Sequence, residues 1–331
     1  MSGATTGNVS QRTQVYAERE MLKYAGPKMV LDKFGMTKLV PKNKSVNVKF
    51  RRPVMFDAAT IPLTEGVTPP VRGIHFEDVS ATLRQYGDVR SVTDVMEDTH
   101  EDPVLQTMVE LSGKNVGKTQ EALNWAVLQG GTNVFYGNGT SRGDVNTAIS
   151  LSKQRAVTRA LKAQKAEKIT KMLSASPGYE TRAIEAAYIG VAHTHLESDI
   201  RNLSRFTPVA EYGQRRPICE DEIGSVEDVR YILSPDLDPI LGVGSGTLNG
   251  MVSSGGSNVD IYPVLYFGEE AYGVVGIKGT GAIEPSVIPT NMKTKDDPLG
   301  QLGYVGWKMW HVCVILNNLW MARLEVGVTD L

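Results

Sequence analysis

Cysteine is scarce in this chain: Cys219 and Cys313 are the only two among 331 residues. Two thiols alone cannot build a disulfide framework or a Cys-rich metal site, and such scarcity fits a reducing compartment. Long apolar runs are missing as well. The longest, Met309 to Leu316, is interrupted by His311 and bounded by Lys308 and by Asn317 and Asn318. It falls far short of the ~20 residues that cross a bilayer, so no membrane role is expected. The opening residues, MSGATTGNVS, lack the basic start and apolar run of a signal peptide. The chain is therefore expected to be made and kept in the cytoplasm. A basic excess is missing too: 35 Lys and Arg face 37 Asp and Glu, for a net charge of −2. That argues against a dedicated nucleic-acid binder. No internal repeat of fixed period is found.

What is present points to a large folded protein. The length exceeds the ~250 to 300 residues at which single cores stop growing, so two lobes are expected. Hydrophobic content of 41% and charged content of 22% are ordinary. Thirty-three Gly and sixteen Pro indicate a fold rich in turns and strands. Within it, residues 46–93 read as a protruding two-stranded arm. Val46, Val48 and Phe50 alternate with Asn47, Lys49 and Arg51; Val79, Ala81 and Leu83 alternate with Ser80, Thr82 and Arg84. That period of two marks half-buried strands. Pro53, Pro62, Pro69, Pro70, Gly66 and Gly73 lie between them and mark a loop. With about 14 extended residues per leg the arm would reach roughly 45 Å, against a radius of gyration of about 20 Å for a compact chain of this size. Isolated ribbons are marginal in water, so the arm is expected to lie on a partner, most simply a second copy. Gly87 interrupts the return leg and reads as a bulge.

The pattern also predicts helices. A short one is expected over 15–24, ended by Gly26 and Pro27. Asp102 and Pro103 then open a long helix. Leu105, Val109, Ser112, Val116, Thr119, Leu123 and Val127 recur at spacings of three and four, up to Gly130 and Gly131. It would be ~40 Å long and serve as a backbone for the sheets. Residues 137–146 read as a loop, 147–173 as a second helix and 186–191 as a buried strand. Thr194 and Glu197 read as a capping box for a helix through Leu203. Short strands are expected over 223–279, and a hairpin over 302–327 turning at Asn317 and Asn318.

Candidate chemistry is sparse. GKNVGKT at 113–119 has the flavour of a phosphate loop, but the motif needs a Gly where Ser112 stands. The segment also falls inside the long helix. Gly242, Gly244 and Gly246 precede no convincing helix that would aim a dipole at phosphate. His193, His195, Glu197 and Asp199 hold metal-ligating types, yet capping accounts for the spacing. Without a poised nucleophile–base pair, no enzyme and no cofactor is expected. The helix at 147–173 carries Lys153, Arg155, Arg159, Lys162, Lys165, Lys168 and Lys171 against Glu167. Arg159, Lys162 and Lys165 are candidates for contact with phosphates of nucleic acid, although a charge every third residue winds around the axis rather than forming a face. On the arm, Arg51, Arg52, Ile61, Leu63 and Glu65 are candidates for contact between subunits.

Several blocks resemble a known family. FRRPVMFDAATIPLTEGVTPP (50–70) and QYGDVRSVTDVMEDTHEDPVLQ (85–106) resemble the arm and long-helix entrance of the major capsid proteins of tailed double-stranded DNA phages. AYGVVGIKGTGAI (271–283), DPLGQLGYVGWKMW (297–310) and VILNNLWMARLEVG (314–327) resemble the closing strands of that family, in the same order. The likeness runs from about Tyr16 to Leu331 and is weakest over 205–260. It implies an α+β Hong Kong 97-type capsid fold with a long spine helix, an extended two-stranded loop, and peripheral and axial domains. These parts would be an N-terminal arm at 1–45, the loop at 46–93, a peripheral domain at 94–175 with 296–331, and an axial domain at 176–295.

The resemblance implies a structural subunit that self-assembles into hexamers and pentamers of an icosahedral head enclosing double-stranded DNA. A long cleaved N-terminal segment is not seen, so a separate scaffolding protein is expected, with a portal and, in some such heads, a decoration protein. Packaged DNA would meet the inner face without sequence preference. Gly66, Gly73 and Gly87 would lend the arm backbone freedom. Two readings from other classes stand beside this one: a nucleotide-binding enzyme using 113–119, and a cytoplasmic binding module whose arm grips a ligand.

Overall fold

The computed structural model describes residue 21, residues 29–41, 45–54, 73–99, 103–173, 181–213, 217–277, 283–290, 292–293 and 297–331, and scattered positions between 56 and 71. The strands are β1 (Met36–Val40), β2 (Asn47–Pro53), β3 (Phe76–Thr82), β4 (Arg84–Thr93), β5 (Val134–Tyr136), β6 (Ile169–Leu173), β7 (Thr181–His193), β8 (Phe206–Pro208), β9 (Glu222–Val226), β10 (Val229–Ser234), β11 (Tyr262–Phe267), β12 (Tyr272–Ile277), β13 (Ile283–Ile288), β14 (Leu302–Ile315) and β15 (Met321–Val326). The helices are α1 (Asp94–Thr99), α2 (Val104–Leu128), α3 (Leu151–Ala163) and α4 (Glu197–Arg201). The helix expected over 15–24 lies outside the described residues except at Met21.

Two sheets organise the chain. In the first, β14 is the long central strand. It pairs with β4 over ten residues along one edge, and with β12 and β13 in turn along the other; β1 adds in parallel outside β12. The second runs β5-β15-β11-β7-β10-β9-β8, with β6 also on β7. The sheets cut across the sequence blocks expected for the two domains. β12 and β13 come from 176–295 yet join β14, while β15 comes from 296–331 yet sits beside β11. The expected hairpin at Asn317 and Asn318 is thus corrected: the turn carries the chain from one sheet to the other. The Leu316 and Asn317 amides donate to the Ala271 carbonyl, and Asn318 Oδ1 accepts from the Thr132 amide at 3.2 Å, which fixes the exit direction.

The long helix forms as expected, as α2, with Gln129 as its C-cap. Its N-terminal half buries Val109, Ser112 and Val116, the expected stripe, against Val305, Trp307 and Met309 of β14. Met21 seats in the same cluster. The C-terminal half departs from the stripe. Gln120, Glu121 and Asn124 are buried with Trp125 and Leu128, while Val127 is exposed. Trp125 and Leu128 belong to a core shared by both sheets, with Ile189, Leu265 and Phe267 on one side and Tyr272, Val274 and Cys313 on the other. A third cluster places Val157 and Leu161 of α3 on Tyr188, Val264 and Leu324.

The second helix is shorter than expected. Ser150 caps α3 by accepting from the Lys153 amide, and the helix ends at Gln164. Lys165 adopts a positive φ of 55°, and the Ala166 amide reaches back to the Leu161 carbonyl at 3.0 Å. This is the six-to-one bond of a Schellman close. Lysine rather than Gly occupies the left-handed position, so the sequence held no stop signal there. Lys165, Lys168 and Lys171 therefore lie beyond the helix.

Candidate assembly surface

The arm is a real ribbon with a fastened base and an exposed end. β2 and β3 pair antiparallel from Asn47 opposite Thr82 to Pro53 opposite Phe76. Val48, Phe50 and Leu83 are buried beside Val275 of the first sheet. Gly273 of β12 admits the Phe50 ring: a Cβ there would lie 2.7 Å from the ring. Lys38 sits 5.2 Å over the same ring and donates to the Lys49 carbonyl. The paired part of the ribbon is shorter than the expected legs. Each paired leg has seven residues, roughly 23 Å at ~3.3 Å per residue. Beyond Leu83 the return leg becomes β4 and enters the sheet beside β14. Strand resumes at Arg84 after Leu83 alone, and no Gly or Pro stands between 79 and 86, which is why the sequence hid the change. Gly87 is no bulge either, because register with β14 is continuous through it. A Cβ at Gly87 would stand 2.7 Å from the Trp307 carbonyl oxygen.

Past the paired legs, the Val54 amide still bonds the His75 carbonyl at 2.9 Å. The end then turns apolar side chains outward: Phe56 is 70% exposed, Val71 95% and Ile74 58%. Glu65 and Gly66 form an exposed turn, with Gly66 at φ 76°. Ile61 and Leu63 lie outside the described residues. Arg51 and Arg52 have partners within the chain. Arg51 Nε bonds Asp78 across the ribbon at 2.8 Å and its guanidinium lies over Phe76. The Arg51 guanidinium holds the Asp78 carboxyl below the usual range. Arg52 pairs with Glu77 and lies 5.6 Å over Trp320.

The basic residues of 153–171 are divided. Arg155 pairs with Glu227, and Lys162 and Lys168 both hold Asp228. The hydrogen bond from Lys162, then that from Lys168, keeps the Asp228 carboxyl below its usual range. Arg159 and Lys165 are exposed, and no ion pair involves either among the described residues. The three candidates for phosphate contact thus separate into one engaged cation, Lys162, and two open ones.

The other candidate motifs are absorbed by structure. Residues 113–119 lie within α2, with Gly113 and Gly117 on its buried face, so their amides serve the helix and cannot wrap phosphate. The expected capping box is replaced by His193, whose Nδ1 accepts from the His195 amide at 3.0 Å. Glu197 pairs instead with Arg201, Asp199 binds Thr329, and His195 meets the Tyr262 hydroxyl. Helix α4 stops at Arg201, short of Leu203. Gly242 is a turn with φ 63° whose amide donates to Asp260. Cys313 is buried, and burial pushes its thiol up to about 12; Cys219 rises to about 11. Both are poor nucleophiles. Among the described residues, no three His, Cys, Asp or Glu side chains gather as a metal set, and no helix is long and apolar enough to cross a membrane.

A spine helix lying on one sheet, a second sheet sharing its core, and a ribbon with an open apolar end define a shell-building subunit of Hong Kong 97 type. Comparison with known proteins agrees. A model of the phage capsid protein family matches residues 76–324, and the chain belongs to that family. Its fold is similar to the capsid of Ralstonia phage GP4, with a TM-score of 0.67, 15% identity and 92% of each chain covered. The cyanophage Pam1 capsid gives 0.60 at 12% identity, again over 92% of each chain. The head of Helicobacter pylori bacteriophage KHP40 gives 0.57 at 12% identity, over 88% of this chain and 87% of that one. No curated protein matches by sequence. The protein is a structural subunit of a phage head and a component of the virion.

Proposed function

We propose that the chain assembles into hexamers and pentamers of an icosahedral shell, with the ribbon end as the contact laid on a neighbouring subunit. The observation that carries this reading is the contrast within the ribbon. Its base is fixed by Val48, Phe50 and Leu83, while Phe56, Val71 and Ile74 stay in water. Several large apolar side chains left in water on one ribbon end suit an interaction site. Permanent contacts of this kind usually bury above ~2,000 Å², which ribbons shared around a ring supply cooperatively. The work is geometric rather than catalytic. A scaffolding protein, a portal and a decoration protein are the partners such assembly would use. Double-stranded DNA would lie on the inner face, where Arg159 and Lys165 are open cations suited to phosphate.

Sedimentation velocity with electron microscopy tests this reading. The purified chain, alone and with a scaffolding protein co-expressed, should give rings of five and six and closed particles. A discrete dimer of constant mass under all conditions would refute it and favour a gripping module.

A further inference from the structure

The polar half of the α2 buried face has no part in the assembly surface. Glu121 is fully buried, and its carboxyl accepts from the amides of Val30 at 3.2 Å and Leu31 at 3.1 Å. Asp32, one residue on, accepts from Gln120 and from Asn124 Nδ2, the latter at 2.7 Å. Asn124 Oδ1 meets His311 Nε2 of β14 at 2.7 Å, and the Tyr272 hydroxyl of β12 donates to the Leu31 carbonyl. Residues 30–33 are thereby tied to α2, β12 and β14 by one polar network around two carboxyls, added to the burial of Val30 and Leu31 in the core beside Trp125 and Leu128.

Two carboxylates in one buried network repel each other and lose hydration, so the arrangement favours a retained proton. Other charged or titratable groups face the pair from each packed element. Asp236 adds negative charge, offset in part by Lys118 at 3.9 Å. Burial pushes His311 toward its neutral form against the pull of Asp32, and burial likewise raises Tyr272 and Cys313. Lys33, on the segment itself, lies near Cys219. None supplies a buried cation to compensate both carboxylates.

We propose that Asp32 and Glu121 form a proton-operated latch, which holds residues 30–33 against the spine helix when protonated and releases them when the proton leaves. Burial, and next the charge of Asp32, push the Glu121 carboxyl up to about 8. Asp32 keeps part of its residue surface in water, but its carboxylate is enclosed by Gln120 and Asn124, and burial raises it too. A raised carboxyl contributes stability that is fully present below the ordinary glutamate value of about 4.3 and is lost as pH climbs through the folded value. The latch therefore opens toward alkaline pH. Its release would loosen residues 30–33 ahead of β1, which stays paired with β12, whatever the oligomeric state.

Hydrogen exchange on the full-length protein tests the latch at the Val30 and Leu31 amides. Rates are expressed as protection factors, which remove the intrinsic pH dependence of exchange. Wild-type protection should fall about ten-fold per pH unit between about pH 5 and pH 8, then level off. Protection at Ile189 and Leu265, in the same core, should stay constant. Glu121→Gln, neutral at every pH, should remove most of the slope and leave only what Asp32 contributes. Asp32→Asn removes the neighbouring charge and should move the break downward, which keeps the test valid if Glu121→Gln fails to fold. Flat wild-type protection, an unchanged slope in Glu121→Gln, or an unmoved break in Asp32→Asn would each overturn the latch.

Discussion

Phe50→Ala should uncouple the ribbon from the body without unfolding the body. Phe50 is 5% exposed and fills the space that Gly273 leaves open, with Val48, Leu83 and Val275 around it. Truncating a buried Phe costs ~3 to 5 kcal/mol. The low end, about 3 kcal/mol, applies here because the cluster is small and the ribbon can shift to close part of the void. Lys38 loses its ring partner as well, a further ~0.5 kcal/mol at an exposed site. The other three clusters do not contain Phe50, so the loss should be local. Native-state hydrogen exchange reads it directly. Protection of the paired amides over 47–53 should fall by roughly 10²-fold, since each 1.36 kcal/mol is ten-fold. Amides of α2 should keep their protection within about three-fold. If ribbon protection is unchanged, Phe50 is not the fastening. If the ribbon and α2 lose protection together, the ribbon is not a separate cooperative unit, and the picture of a fixed base with a free end fails.

Further outcomes are expected elsewhere. Lys165→Gly should raise stability by about 0.5–1 kcal/mol in urea unfolding, because Gly suits the positive φ that closes α3. Asp228 is held low by Lys162 and Lys168, so its contribution is present above the ordinary aspartate value of about 3.9 and is lost as pH falls through the lower folded value; thermal melts of Asp228→Asn should lack that acid-side component. Arg159→Glu with Lys165→Glu should leave particles intact but lower their nucleic-acid content, measured by the absorbance ratio of purified heads. Lys162→Glu should instead weaken the fold, since it sets a carboxylate against Asp228.

Much of the architecture could be read from the chain because the signals were local. The period of two in 46–51 and 79–84 found the ribbon, and the spacing of Val109, Ser112 and Val116 with Gly130 and Gly131 found the spine helix. What stayed hidden depended on distant partners. The return leg stays extended past Leu83 with no turn residue to mark a change, yet pairing with β14 turns it away from the ribbon. Asn317 and Asn318 signal a turn, but nothing local says that the strands on either side belong to different sheets. Lys165 closes α3 from a position where Gly is the usual mark. The buried acids were missed for the same reason. Glu121 reads as a solvated helix residue until Val30 and Leu31, about 90 residues away, bring their amides to it. Arg51 and Arg52 were legible as arm residues, while their pairing with Asp78 and Glu77 needed the register of β2 on β3.

Removing the ribbon end while keeping its base probes the account most directly. A chain lacking residues 56–74 retains Val48, Phe50 and Leu83, so it should fold with unchanged circular dichroism and a melting temperature within a few degrees of wild type. By electron microscopy it should form no stable closed shells. Normal particles from that deletion would show that neighbouring subunits hold together without the exposed end, contrary to the proposed mode of assembly.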